Sequence, residues 1–287
     1  MTPVVTFVIP VRHQDNAKDW HALKANLAQT IASIAGQTHP GWRAVIVAND
    51  GADLPKVPTK FEIVRVDFPP NALHEQRGAD KETFYEAFRV DKGRRVLKGM
   101  LAVPDSRFFM IVDDDDLVSN RIVEFAARNT SCPGWTISRG YSWSANGSLL
   151  FDLPDFHHYC GTSLIVRSDL YRLPERFEDA SLEFVTTRLG GHRRIVELLA
   201  EEGNPLQPLP FHGAIYRIGH AGAHSGSSDV LGMYFLKPEM FARPHKLVTN
   251  LFRLKFVNRA VTAEFFGPPP RPAVPERAEG EGVFSER

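Results

Sequence analysis

The stretch FFMIVDDDDLVS, residues 108–119, runs from five apolar residues directly into four consecutive aspartates. The apolar run is typical of a buried β-strand, and the change to polar residues marks its carboxyl end. If strand geometry continues into the aspartates, Asp113 and Asp115 point to one face, and Asp114 and Asp116 point to the other. Four adjacent carboxylates repel one another, so the sequence predicts a cation or a set of hydrogen-bond donors opposite them.

Similar apolar runs precede this stretch, and helical patterns separate them. Strands are predicted at residues 4–11, 42–50, 61–68 and 108–112, and helices at 20–37 and 92–103. The alternation favours an α/β fold with a Rossmann-like, mostly parallel sheet flanked by helices. Ligands of such sheets bind beyond the carboxyl ends of the strands. One edge is therefore expected to collect the polar residues that follow the strands, namely Arg12, Asn49, Asp50 and Asp113 to Asp116.

The pattern is less regular beyond residue 130. Strands are expected in ISRGYSW, SLLFDL and TSLIVRS, a helical region interrupted at Gly190 and Gly191 in EFVTTRLGGHRRIVELLAEEG, and a loop at 214–228. We divide the chain into a domain at 1–228, a C-terminal helical extension at 229–266 with two helices, and a tail at 267–287. Proline, glycine and charged residues dominate the tail, which is predicted to be disordered.

Composition narrows the classes of function. The 287 residues contain 34 Lys plus Arg and 34 Asp plus Glu, so no overall field attracts nucleic acid, and a charged ligand needs a local cluster. No window reaches the length of a membrane span, and the N-terminal apolar run is too short for a signal peptide, so a cytoplasmic protein is expected. Cys132 and Cys160 form neither a metal-binding nor a disulfide pattern.

The second helix expected in the extension, HKLVTNLFRLKFVNRAVTAEFF, carries Lys246, Arg253, Lys255 and Arg259 among Leu, Phe and Val. Two interpretations stay open. The helix packs on its own domain with its basic residues in solvent, or it lies on a membrane surface, which would make the protein peripheral on the inner face of the cell membrane.

A hard divalent cation is the simplest counterion for the four aspartates. Mg²⁺ and Mn²⁺ take oxygen ligands and commonly combine one or two carboxylates with the phosphates of a substrate. The alternatives are a solvated turn, or an aspartate that caps a helix starting near Leu117. Capping needs one aspartate and leaves three unexplained.

The order of the motifs resembles that of the family 2 glycosyltransferases of GT-A fold. The motifs are VTFVIPVR, AVIVANDGAD, FFMIVDDDDLVS, CGTSLIVRSDLYRLPERFED, ELLAEEG and AIYRIGHAGAHS, which span roughly residues 4–228. The resemblance implies a GT-A type fold and a metal-dependent hexosyltransferase. Its donor would be a nucleotide-diphospho-sugar, a UDP-sugar, and its acceptor a glycan, a lipid-linked glycan or another glycoconjugate, as in polysaccharide biosynthesis.

The family's site residues carry over to positions of this chain. Asp113 and Asp115 match the Asp-x-Asp motif, the first near the ribose and the second on the metal. Asn49 stands where the family's Asp-Asp-Gly turn has its first acid, and Arg12 stands where an aromatic residue is common. The resemblance implies a nucleotide-sugar site made of Pro10, Arg12, Asn49, Asp50, Gly51, Arg95, Asp113 and Asp114. Arg94 is the alternative to Arg95 as the arginine on the diphosphate side, and Lys92 lies close to both in the sequence.

The resemblance also implies a metal ion, Mn²⁺ or Mg²⁺, held by Asp113 and Asp115. The segment YRIGHAGAHS, residues 216–225, resembles the family loop that closes over the donor. His220 or His224 of this loop would complete the metal shell or touch phosphate oxygens, and the alternative is that both histidines lie in water.

The catalytic base is the main departure from the family pattern. Inverting members carry an Asp or Glu at the start of a helix that ends like ELLAEEG, and here His192 occupies that place. Three interpretations stay open. His192 accepts the acceptor's proton; or it holds the diphosphate beside Arg193 and Arg194, while Asp179 or Glu178 takes the proton; or it merely caps its helix.

Two other classes of protein fit parts of the pattern. A phosphatase of the haloacid-dehalogenase type also places Asp-x-Asp after an apolar strand, with Asp113 as its nucleophile, although that strand normally comes early in the chain. A GT-A domain that binds nucleotide and metal without transferring sugar would account for Asn49 and His192. Metal-dependent nucleotide binding without donor hydrolysis or transfer would distinguish this class.

Overall fold

The computed structural model describes residues 2–73, 80–145, 147–219, 229–237, 240 and 244–267. Within these residues the chain forms two β-sheets with helices packed against them. The strands are β1 Val5–Pro10, β2 Trp42–Asn49, β3 Phe61–Val66, β4 Phe108–Ile111, β5 Leu117–Val118, β6 Gly134–Thr136, β7 Arg139–Ser144, β8 Leu149–Pro154, β9 Leu164–Arg167, β10 Gln207–Pro208, β11 Ala214–Ile218 and β12 Leu254–Phe256. The helices are α1 Trp20–Ala35, α2 Lys81–Ala102, α3 Ile122–Arg128, α4 Leu182–Phe184, α5 His192–Glu201, α6 Val230–Tyr234, α7 Pro244–Arg253 and α8 Arg259–Phe265.

The main sheet has seven strands in the described residues, in the order β10-β6-β9-β4-β1-β2-β3. Strands β4, β1, β2 and β3 run parallel, and β9 is antiparallel to both of its neighbours. This arrangement confirms the predicted α/β fold, with a mixed, mostly parallel sheet flanked by helices. The carboxyl ends of β1, β2 and β4 share one edge, where Arg12, Asn49 and Asp113 lie.

Helices cover both faces of the main sheet because successive side chains of a strand point to opposite faces. Phe7 and Ile9 of β1 share one buried cluster with the α1 stripe Leu23, Leu27, Ile31 and Ile34. Val8 belongs to the cluster on the other face, together with the α2 side chains Val96, Leu97 and Met100. Each such buried aliphatic side chain stabilises the fold by about 1.5–3 kcal/mol.

A second sheet, of five strands in the described residues, has the order β12-β8-β7-β11-β5. The C-terminal elements attach to it. Strand β12 pairs with β8, Phe265 of α8 is buried beside Tyr141, and Glu264 accepts a hydrogen bond from the Ser119 hydroxyl at 2.6 Å. Among the described residues, none of the helices has the length and apolar character that crossing a membrane requires.

Two predicted segments of the C-terminal half are wrong in part. Residues 214–228 were expected to form a loop, but Ala214–Ile218 form β11, because this mostly buried segment pairs with β7 on one side and β5 on the other. The single long helix expected at 245–266 is divided, because Leu254–Phe256 pair with β8, and the Asn258 side chain then caps α8 by accepting from the Val261 N–H at 3.0 Å. The predicted tail lies outside the described residues after Gly267.

Helix α2 begins earlier than the sequence predicts. It starts at Lys81 rather than at residue 92, because the side chain of Asp80 caps its first turn by accepting from the Glu82 N–H at 3.1 Å. Three additional turns of helix therefore lie along the edge where the strands end.

Candidate active site

A cavity of about 550 Å³ lies at the edge where β1 and β4 end. Its walls come from the end of β1, the aspartates after β4, helix α2, the start of α5, and β11. The side chains that line it include Pro10, Arg12, Lys92, Arg95, Asp113, Asp114, Asp115, His192, Tyr216 and Arg217. The edge expected from the strand pattern is therefore where the charged side chains gather.

Exposure alternates along the four aspartates. Asp114 and Asp116 are buried, with 4% and 1% of their surface exposed, whereas Asp113 and Asp115 are partly exposed. The Asp116 N–H donates to the Asp113 carbonyl at 3.2 Å, which closes a turn over the stretch. Although the strand ends before them, the aspartates thus alternate as the sequence predicts.

Asp116 is held by three donors inside the protein. Its carboxylate accepts from the Thr162 hydroxyl at 2.6 Å, the Cys160 thiol at 3.1 Å and the Arg217 backbone N–H at 3.2 Å. Burial raises the pKa of Asp116 well above its ordinary value, and the charges of Asp115 and Asp113 raise it further. This carboxylate fixes the turn to the protein interior and does not line the cavity.

Asp114 lies opposite Arg12, with 3.4 Å between Asp114 Oδ1 and Arg12 Nη2. The second oxygen, Oδ2, is buried and has no hydrogen-bond partner among the described residues. Burial raises the pKa of Asp114, and Arg12 opposes that shift. Burial alone would lower the pKa of Arg12, but the carboxylates around it outweigh this effect and raise it.

Asp113 is paired with Lys92 of α2 through its Oδ1 oxygen. Its backbone N–H donates to the Thr162 hydroxyl oxygen at 2.8 Å, so one hydroxyl binds both ends of the aspartate turn. Burial would lower the pKa of Lys92, but Asp113 outweighs it and raises the pKa. Gly161 leaves room for this pair, because a Cβ at that position would lie 2.5 Å from Asp113 Oδ2.

Arg217 of β11 closes the cluster beside Asp115. Its Nε donates to the Asp115 carbonyl at 2.8 Å, its Nη2 donates to Gln29 at the same distance, and its guanidinium lies 5.0 Å from the Trp143 ring centre. Burial lowers the pKa of Arg217, and the carboxylates of Asp115 and Asp116 oppose that shift.

The predicted counter-charges are therefore present as side chains of the protein itself. Arg12, Lys92 and Arg217 face what we call the aspartate cluster, residues 113–116. The sequence does not predict Lys92 or Arg217 as counter-charges of the aspartates. The signal for Lys92 was its position three residues before Arg95, which places both on one face of α2.

A divalent cation fits the donor chemistry of this cluster. Asp113 and Asp115 offer partly exposed carboxylates to the cavity, and the buried Oδ2 of Asp114 has no partner among the described residues. Within the described part of the chain, however, no group of three or more His, Cys, Asp or Glu side chains forms a metal-binding arrangement. His220 and His224, expected to complete the shell, lie outside the described residues.

Arg95 is positioned by two side chains. It is 1% exposed, it donates to Asn49 Oδ1 at 2.6 Å, and it contacts both oxygens of Asp91 at 3.0–3.2 Å. The Asn49 amide nitrogen donates to the Phe68 carbonyl at 2.6 Å. Asn49 therefore supports Arg95 from behind, and it does not line the cavity.

The rest of the turn after β2 is also outside the cavity lining. Asp50 and Gly51 are exposed, and Gly51 has a φ of 74°, a left-handed backbone conformation that favours glycine. The structure thus brings Pro10, Arg12, Arg95 and the first three aspartates together, while the turn of Asn49, Asp50 and Gly51 lies beside them.

His192 is the first residue of α5 and lines the cavity. Its Nε2 is buried and has no hydrogen-bond partner among the described residues. Burial, followed by the charge of Lys92, lowers the pKa of His192 to about 4. The imidazole is therefore neutral at pH 7 and has an available nitrogen lone pair if Nε2 is the unprotonated atom.

Asp179, the alternative proton acceptor, lies elsewhere. It forms a double contact with Arg176, at 2.7 and 3.1 Å, and it is absent from the cavity lining, as is Glu178. Arg193 and Arg194 do line the cavity. Arg194 lies 3.4 Å from Glu86, and Arg193 donates to the His158 carbonyl.

Aromatic side chains also line the cavity. Phe84, Tyr85 and Phe88 come from the first turns of α2, and Tyr159 comes from the segment before β9. Tyr85 and Tyr159 are among the exposed large apolar side chains. The motif order gave no signal for these residues, because Phe84 to Phe88 fall in the segment before the predicted helix.

Fold and site together define an α/β protein with a charged ligand cavity at the carboxyl edge of its main sheet. Solved structures that match it include Staphylococcus aureus TarS 1–349, at 12% identity and a TM-score of 0.42 over 74% of this chain and 60% of that chain. TarS 1–349 in complex with UDP-GlcNAc matches at 13% identity and a TM-score of 0.41, over 77% of this chain and 60% of that chain. The complex of Rv0371C from Mycobacterium tuberculosis H37Rv with manganese matches at 11% identity and a TM-score of 0.33, over 75% of this chain and 92% of that chain.

UDP-GlcNAc and manganese are the ligands of two of these matched structures. The chain spans about 60% of the TarS 1–349 structure. No protein-family model matches the chain, and no curated protein matches it.

Proposed function

We propose that the chain is a metal-dependent glycosyltransferase that moves a hexose from a nucleotide-diphospho-sugar, a UDP-sugar, to a glycan, lipid-linked or other glycoconjugate acceptor. The observation that carries this proposal is the meeting of Asp113 and Asp115 with Arg12, Lys92 and Arg95 in one cavity. A nucleotide-diphospho-sugar has a doubly charged diphosphate and a neutral sugar, and it needs cations on one side and neutral contacts on the other.

The cationic side of the cavity suits the diphosphate. When the bond from the anomeric carbon to the diphosphate oxygen breaks, negative charge develops on the leaving group, and fixed cations stabilise it. Lys92 and Arg12 are held by Asp113 and Asp114, so their positions are set before the donor binds. A bound Mn²⁺ or Mg²⁺, held by Asp113 and Asp115, would supply additional Lewis-acid stabilisation of the same charge.

His192 is the proton acceptor in this proposal. The acceptor hydroxyl attacks the anomeric carbon on the face opposite the departing diphosphate, and this single displacement inverts that carbon. The proton of the hydroxyl passes to the neutral imidazole. Asp179 is less suited, because Arg176 holds it outside the cavity lining. The aromatic wall of Tyr85 and Tyr159 would offer flat apolar surfaces to the sugar rings.

A second candidate is a domain that binds a nucleotide and a metal without transfer. The low pKa of His192, about 4, favours it, because a general base is most effective with a pKa near the working pH. Both candidates predict metal-dependent nucleotide binding, and only the first predicts that a labelled sugar leaves the nucleotide.

Calorimetric titration with UDP and GDP, each with and without Mn²⁺, tests the donor site. Tight binding of one nucleotide that requires the metal supports the proposal and identifies the base. If neither nucleotide binds with the metal present, the proposal is wrong. Release of UDP from several UDP-sugars, with and without mixed glycan acceptors, then separates the transferase from the binding domain.

A further inference from the structure

Exposed apolar side chains are concentrated in the C-terminal part of the chain. Ten large apolar side chains are exposed in the described residues, and six of them lie between residues 231 and 256. They are Leu231, Leu236, Val248, Leu251, Phe252 and Phe256. Scattered single residues of this kind are normal on a protein surface, but a concentration along one short segment marks an interaction surface.

Helix α7 presents its apolar stripe outward. Val248, Leu251 and Phe252 follow the i, i+3, i+4 spacing of one helix face, and Phe252 is 77% exposed. The inner contact is polar, since Asn250 is buried and donates to the Tyr234 carbonyl at 2.7 Å. In a helix that packs only against its own domain, the apolar stripe would face the core of that domain.

Strand β12, directly after the helix, adds a further exposed apolar side chain. Phe256 is 71% exposed, although its strand is paired with β8 over Leu254 to Phe256. The hydrogen-bonded pairing fixes the strand on the second sheet. Phe252 and Phe256 are therefore exposed on ordered elements, and we call Val248, Leu251, Phe252 and Phe256 the C-terminal surface.

The charged side chains along this segment have one sign. Residues 240–263 contain five basic residues and no Asp or Glu, in a chain whose formal net charge is zero. Lys246 and Lys255 are exposed, and they precede and follow the apolar stripe along the chain. An occupant of this surface must therefore combine apolar contact with negative charge.

We infer that the C-terminal surface binds the interface of a bilayer that contains anionic lipids. Apolar side chains enter the boundary between headgroups and acyl chains, while lysines and arginines along the same segment contact the lipid phosphates. A second copy of the chain is a poorer occupant, because it would bring five more positive charges, and because Lys255 on the edge strand β12 opposes strand pairing. The inference does not depend on the transferase proposal, since these four side chains do not line the cavity.

Flotation of the full chain with vesicles tests this inference. Vesicles of phosphatidylcholine alone are compared with vesicles of phosphatidylcholine and phosphatidylglycerol. The full chain is expected to float with the anionic vesicles, and to be released by salt because headgroup contacts are screened. Absence of flotation with the anionic vesicles, or equal flotation with both kinds, would overturn the inference.

Two variants with matched controls locate the contact. Phe252→Ser/Phe256→Ser is expected to lower the vesicle partition coefficient at least tenfold, and Lys246→Glu/Lys255→Glu at least fivefold. The controls change exposed residues elsewhere, Leu182→Ser/Ile63→Ser and Lys18→Glu/Lys56→Glu, and are expected to keep the partition coefficient.

Further readouts separate the other occupants. Circular dichroism and nucleotide titration are expected to be unchanged in Phe252→Ser/Phe256→Ser, so a failure of this inference is distinct from a failure of the donor site. Light scattering after size exclusion gives the mass of the full chain. A dimer that this variant converts to a monomer would assign the surface to a second copy and overturn the inference.

Discussion

The aspartate cluster and the C-terminal surface treat charge in opposite ways. In the cluster, Asp113 and Asp114 face Lys92 and Arg12, so charges of both signs are held together at short range. Around the C-terminal surface, five basic residues occur without an acid in 24 residues. The net charge of the whole chain, which is zero, therefore describes neither region. The comparison shows that paired charges of opposite sign position a site, whereas unbalanced charges of one sign are available to a partner.

The largest expected effect comes from removing the exposed half of the cluster. Asp115→Ala should lower transfer by about 10²–10³-fold or more, because it removes a carboxylate that would hold the metal. The fold should be kept, since Asp115 is partly exposed. Initial rates and circular dichroism check this, with Asp105→Ala as an exposed aspartate outside the cavity. Near-full activity of Asp115→Ala would contradict the assignment.

Removing the proton acceptor should give the next largest effect. His192→Gln is expected to reduce kcat by about 10²-fold, the lower range for general base catalysis, with little change in the donor KM. If KM for the donor rises instead while kcat is kept, His192 holds the diphosphate. Steady-state kinetics over both substrates separates the two roles.

The buried Asp116, which does not line the cavity, should affect stability instead of chemistry. Asp116→Ala leaves the Thr162 hydroxyl, the Cys160 thiol and the Arg217 N–H without their acceptor, at a cost of about 3 kcal/mol in the free energy of unfolding. Asp115→Ala should cost less than about 1 kcal/mol. Urea unfolding of both variants checks the contrast, and equal losses would show that burial does not divide the cluster.

The pH dependence of stability should contain a contribution from His192. Its pKa in the folded protein, about 4, is below the ordinary value of 6.5, so the unfolded chain takes up the proton first as the pH falls. The contribution is complete above pH 6.5 and is lost towards pH 4, by up to about 3 kcal/mol. Buried carboxylates with raised pKa values act in the opposite direction, so the difference between the wild type and His192→Gln is the quantity to measure. An unchanged difference across this range would contradict the shift.

The smallest effect is expected for the unbalanced region. Lys246→Glu/Lys255→Glu should change the free energy of unfolding by less than about 0.5 kcal/mol, because both side chains are exposed and the bond from Lys255 Nζ to the Phe252 carbonyl, at 3.2 Å, lies at the surface. Urea unfolding in buffer checks this. A larger loss would mean that these charges stabilise the fold itself.

Much of the main sheet follows from the sequence, because β1, β2 and β4 are buried on both faces and appear as continuous apolar runs. The four predicted parallel strands agree with β1 to β4 to within two residues at every end. The short strands are harder to predict from the sequence. Leu117–Val118 and Gly134–Thr136 have two and three residues, too few to show a period, and their pairing partners supply their structure.

The candidate site shows the same limit at the level of single residues. The alternation of Asp113 to Asp116 could be predicted, since it depends on neighbours in the chain. The partners could not, because Arg12 and Asp114 are 102 residues apart, and only the fold brings β1 and β4 together. The role of Asn49 was likewise hidden, since its contact with Arg95 crosses from β2 to α2.

Gly161 connects the chemistry of the aspartate cluster with the substitutions that related sequences can accept at this position. A side chain at this position would press on both Asp113 Oδ2 and Lys92 Nζ, at 2.5 and 2.7 Å from its Cβ. A lineage that replaced this glycine would have to displace the ends of these two side chains. Among relatives, glycine at this position should therefore accompany a Lys92 and Asp113 pair that is held in this position.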